Sequence, residues 1–76
     1  MSFSEALELL KQGRLVSRKG WNGTNMFVEL IRPCNTKYTK GMTHEPYFII
    51  KTVRNTMAAW VPSTGDVLAN DWEEVK

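Results

Sequence analysis

The chain has 76 residues, 42% of them hydrophobic, with ten Lys and Arg against eight Asp and Glu and a net charge of +2. That length allows a single small domain, 1–76, of marginal stability, and with one cysteine (Cys34) and one histidine (His44) neither a disulfide nor a Cys/His metal site can support it, which leaves homo-oligomerisation. Scattered cations argue against a nucleic-acid polymer as partner, the lack of an apolar run near the ~20 residues of a membrane span argues against a membrane, and a free thiol without a leading export signal points to the cytoplasm.

Ser2-Phe3-Ser4-Glu5 reads as a capping box, in which the serine hydroxyl and the glutamate carboxylate each serve the other's backbone amide. Phe3, Ala6, Leu7 and Leu10 then fall on one helical face, Lys11 suits the negative end of the helix dipole, and Gly13 is the left-handed stop. The pattern predicts a helix of about three turns.

Leu15–Arg18 reads as a short strand and 26–31 as a second, with Phe27 and Val28 favouring β structure and Pro33 ending it. The two most simply form an antiparallel pair whose connection, 19–25, presents Trp21 and Asn22. Residues 33–46 show neither helical nor strand periodicity, and a loop of that length is either functional or simply exposed and variable. Tyr38 and His44 are its candidate contacts. Residues 47–53 and 57–61 read as a second hairpin around Arg54-Asn55-Thr56, 63–69 as a turn or a single helical turn, and 72–75 as a last strand. The sum is an α+β domain, one N-terminal helix packed on a small antiparallel β-sheet. Strand order is not legible.

Arg18-Lys19-Gly20-Trp21-Asn22-Gly23 organises the rest. Glycine admits positive φ and close backbone approach, and Asn-Gly is a strong turn signal. A turn carrying Trp21 and Arg18 offers a flat apolar ring beside a planar cation, which suits a nucleobase with its phosphate. It suits a protein core almost as well, as a lid on a small hydrophobic cluster. With Arg18 and Asn22, the polar set Thr64, Asp66, Asn70 and Asp71 could serve ribose hydroxyls, although the residues around Asp66 and Asp71 also read as turn formers. Catalysis is poorly supplied. Cys34 and His44 lack an orienting third group, and no glycine-rich phosphate loop of Walker or dinucleotide type occurs. The residues describe a binder and not an enzyme.

Phe3-x-Glu5-Ala6-Leu7, Gly13-x-x-Val16-x-Arg18-x-Gly20-Trp21-Asn22-Gly23, Trp60-x-Pro62-Ser63 and Asp66-x-Leu68-Ala69-x-Asp71-Trp72 resemble the small phage proteins of the Thoeris anti-defence family, second type. The resemblance covers nearly the whole chain except 33–46. It implies a sponge that holds, intact, the cyclic ADP-ribose-type signal of bacterial TIR-domain defence proteins, in pockets between the subunits of a tetramer. Some members also take cyclic dinucleotides at separate sites. By motif, Trp21 would stack on a base, Arg18 and Asn22 would support the turn and the ligand's polar groups, and Asp66, Asn70 and Asp71 would be ribose partners. Trp60 and Trp72 match as well but alternate with apolar residues as a core would. No cofactor is implied, and the setting is the cytoplasm of an infected bacterium. A chain this small has little room for a pocket of ~300 Å³, so a subunit interface is expected to supply it. The competing readings are a module that blocks a host protein through Trp21 and Tyr38, and a single-strand nucleic-acid binder.

Overall fold

A computed structural model describes residues 1–32 and 45–76. Cys34, Tyr38 and His44, and most of the expected loop, lie outside the described residues.

Helix α1 spans Phe3–Lys11 and starts on the complete capping box between Ser2 and Glu5. It stops on Gly13, whose φ is +86°, with the Arg14 and Gly13 amides donating to the carbonyls of Leu9 and Leu10. Those two bonds satisfy carbonyls that the helix end leaves without partners. Ala6 and Leu10 are fully buried, as the 3.6-residue spacing predicts, while Leu7 is only half-buried.

Five strands follow, β1 (Leu15–Arg18), β2 (Phe27–Ile31), β3 (Tyr47–Lys51), β4 (Met57–Trp60) and β5 (Trp72–Val75), with a short helix α2 (Thr64–Leu68) ahead of the last. They form one antiparallel sheet in the order β4-β3-β2-β1-β5. Both expected hairpins are present, β1 with β2 and β3 with β4. The final strand pairs with β1, Leu15 opposite Val75 and Arg18 opposite Trp72. The third strand ends at Lys51, so Thr52 and Val53, expected at its end, belong to the turn instead. Thr52 supplies the reason, because its hydroxyl accepts from the Arg54 and Thr56 amides and so competes with the ladder.

The core is Ala6 and Leu10 of α1, Val16 of β1, Val28 of β2 and Trp72 of β5. Trp72 is its largest member and is 1% exposed. Its ring meets Phe3, Trp21 and Trp60 with centroids 5.5, 5.5 and 6.1 Å away, the two tryptophans edge to face. Its indole N–H donates to the Asp66 carbonyl at 2.9 Å, which fixes α2 against the core. Trp72 is therefore core, one of the two roles open to it in the sequence.

Candidate functional site

The pairing of β1 with β5 decides where the charged residues meet. Because Arg18 lies opposite Trp72, the guanidinium at the end of β1 sits beside Asp71, just ahead of β5, and reaches Asp66 in α2. Arg18 Nε donates to Asp71 Oδ1 at 2.8 Å and Nη1 to Asp66 Oδ1 at 2.9 Å. The second oxygens are occupied too. Asp66 Oδ2 accepts from the Ser63 amide at 2.9 Å, and Asp71 Oδ2 from the Gly20 amide at 2.9 Å. Asp66 is also the acidic member of the capping box that opens α2, its amide donating to the Ser63 hydroxyl. At 9% exposure, its charge needs these partners.

The electrostatics follow. Hydrogen bonds to Asp71 and then Asp66 push the Arg18 guanidinium above its already high ordinary value. The bond from Arg18 lowers the Asp71 carboxyl, against a smaller opposing effect of burial, and the Gly20 amide lowers it further. Burial pushes Asp66 up, but the Ser63 amide, Arg18 and the Ser63 hydroxyl together outweigh it and leave the carboxyl below its ordinary value.

This network holds the turn after β1. The Lys19 amide donates to the Asp71 carbonyl and the Trp21 amide to the Arg18 carbonyl. A Cβ on Gly20 would sit 2.8 Å from Asp71 Oδ2, so glycine is needed there for close approach and not for a left-handed φ. Farther along, a Cβ on Gly23 would collide with Val53 Cγ1 and lie 2.7 Å from Met26 Sδ. The turn after β1 thus packs directly on the β3–β4 turn. Lys51 Nζ donates to the Asn25 carbonyl at 2.9 Å and ties the two together again.

Between these turns lies an open cleft of about 410 Å³, lined on one side by Trp21, Asn22 and Met26 and on the other by Thr52, Val53 and Arg54. Trp21 is half-buried, with its ring packed on the core through Trp72 and also exposed to the cleft. One side chain thus packs on the core and also lines an open cleft. The cleft exceeds the ~300 Å³ for which a single chain was expected to have little room, but it is open to solvent.

The expected site residues therefore divide. Trp21 and Asn22 line the cleft. Arg18, Asp66 and Asp71 are brought together with one another, behind the turn, and do not line it. Asn70 is exposed, and its carbonyl accepts from the Met1 nitrogen at 3.3 Å. Sequence reasoning missed Met26, Thr52, Val53 and Arg54. The available signal was Arg54-Asn55 at a hairpin tip, a cation in a turn, but nothing in the sequence places that tip beside Trp21.

A second groove of about 460 Å³ runs between α1 and the β3–β4 hairpin. Leu7, Leu30, Phe48, Trp60, Val61 and Pro62 make it almost wholly apolar. Lys11 and Tyr47 are the polar side chains among its lining residues.

The sequence profile of a family described as Tad2-like, the Thoeris anti-defense 2-like domain, matches residues 1–75. A protein named Thoeris anti-defense 2, from Bacillus phage SP01, is 49% identical over an alignment 84 positions long, covering 99% of this chain and 94% of its own length.

Proposed function

The chain belongs to the Thoeris anti-defense 2-like family and has an anti-defence role, and on that premise we propose that it is a sponge, which binds a cyclic ADP-ribose-type nucleotide signal and holds it without degrading it. The observation that carries this reading is the cleft beside Trp21. It combines an aromatic ring already fixed by the core, the Asn22 amide and a guanidinium in a space of nucleotide size. Trp21 stacks on the base and Asn22 meets its polar edge. Arg18, Asp66 and Asp71 keep the turn in the conformation that presents Trp21, so binding does not have to order the turn as well. The protein acts as a homo-oligomer, a tetramer, in which a neighbouring copy closes the open side of the cleft.

On the sponge reading the ligand is released unchanged. A panel of cyclic ADP-ribose isomers and cyclic dinucleotides, screened by thermal shift and then calorimetry, identifies the ligand. After hours at saturation, heat denaturation and chromatography should return the same isomer quantitatively. Linear ADP-ribose above a no-protein control would establish an enzyme instead.

A further inference from the structure

Arg18 was the cation that the sequence offered to a phosphate, and its Nε and Nη1 are committed to Asp71 and Asp66. The cleft has another. Of the described residues lining it, Arg54 alone is charged, and among the described residues no carboxylate lies within ion-pair distance of it. We propose that Arg54 is the residue that takes the phosphate of a nucleotide whose base lies against Trp21, and so makes the cleft selective for phosphorylated ligands. The assignment rests on the binding reading given above for the same cleft.

The turn is built to hold that position. Asn55 adopts φ +61° at the tip, and the ring is closed by the Thr52 amide donating to the Thr56 carbonyl at 2.8 Å and the Asn55 amide donating to the Thr52 carbonyl at 3.0 Å. The Thr52 and Thr56 hydroxyls lie 2.7 Å apart, and the Arg54 amide donates to the Thr52 hydroxyl at 3.2 Å. Contact of Gly23 with Val53, next to Arg54, fixes this turn against the one that carries Trp21. Ring and cation therefore stand on two braced walls of one cleft. A guanidinium there presents a planar fork of donors that matches phosphate oxygens, with the apolar Met26 and Val53 among its neighbours in the lining.

The test uses the full chain and whichever cyclic ADP-ribose isomer binds in the panel. Calorimetry at low and high salt compares wild type with Arg54→Ala, Arg54→Lys, Trp21→Ala and, as a charge control at the other end of β1, Arg14→Ala. Arg54→Ala should weaken binding about tenfold to a hundredfold, the range of a charge-assisted hydrogen bond. It should also flatten the salt dependence and leave the melting temperature of the free protein unchanged. Arg54→Lys should recover part of the affinity, since it keeps the charge but not the fork, and Arg14→Ala should bind as wild type does. Binding by Arg54→Ala within twofold of wild type, with Trp21→Ala defective, would overturn the role of Arg54 and leave the cleft as the site. Binding unaffected by either Arg54→Ala or Trp21→Ala would put the ligand elsewhere. Failure of wild type to bind any member of the panel would overturn the sponge reading and this assignment with it.

Discussion

Trp21 serves two masters, the core and the cleft, and a substitution there must be read on both. Its ring lies 5.5 Å from Trp72, so Trp21→Ala removes packing as well as a stacking surface. Complete loss of a buried tryptophan costs about 3–5 kcal/mol, and a half-buried one loses less. Loss of base stacking costs about 1–3 kcal/mol of binding. Trp21→Ala should therefore melt earlier yet remain folded, and bind the nucleotide up to about a hundredfold more weakly. Trp21→Phe, which keeps a ring against Trp72, should recover most of the stability. Circular dichroism melts beside calorimetry check both, and an unfolded Trp21→Ala would assign the residue to the core alone. The sequence showed that Trp21 sits in a glycine-flanked turn. Which way the ring faces depends on Trp72, 51 positions later, and no local pattern carries that distance.

The elements themselves were more legible than their arrangement. Both helix starts announce themselves locally, Ser2 to Glu5 openly and Ser63 to Asp66 under the guise of a turn. Strand positions follow from the apolar runs, but their ends do not always, since β3 stops at Lys51 and β4 at Trp60, short of the expected Val53 and Val61. The pairing of β5 with β1 does not, since short strands of similar composition can pair in several orders, and that pairing is what turns Arg18, Asp66 and Asp71 from separate ligand candidates into one network joining β1, α2 and β5. The network has a measurable pH signature. Asp66 and Asp71 are both held below the ordinary carboxylate value, so just below about pH 4 the unfolded chain takes up protons that the folded chain refuses. Stability is then complete above the ordinary carboxylate range and falls as pH drops through the lowered native values. Melting temperature followed from pH 7 to about pH 3 should hold steady and then decline in acid. Asp71→Asn, which cannot titrate, should melt lower at neutral pH and show a shallower acid decline. Parallel curves for the two proteins would mean that Asp71 contributes nothing to the pH dependence.

At the scale of the whole molecule the two edges of the sheet differ. At β5, Glu73 and Glu74 are charged, Arg14 pairs with Glu74 at 2.7 Å, and Met1 exchanges backbone bonds with Trp72. An edge so charged and partly covered resists pairing with another strand. At β4, Met57, Ala58 and Ala59 are neutral and exposed, and Val61 just beyond is 85% exposed. An unguarded apolar edge pairs readily, and a second copy of the same strand meets it without charge repulsion, about a twofold axis. On α2, Val67 and Leu68 form a separate exposed apolar patch, Leu68 being 72% exposed. In the tetramer proposed above these would be the two contact surfaces, because two different isologous surfaces give D2 symmetry whereas one gives only a dimer. Light scattering coupled to gel filtration should show a tetramer at micromolar concentration. Ala59→Lys places a cation in the β4 edge, and Leu68→Glu an anion in the α2 patch. Each should reduce the tetramer to a dimer, and the two together to a monomer of lower stability, because association adds to folding by mass action. A wild-type protein that is folded and monomeric at that concentration would remove both interfaces, and with them the neighbour that closes the cleft over its ligand.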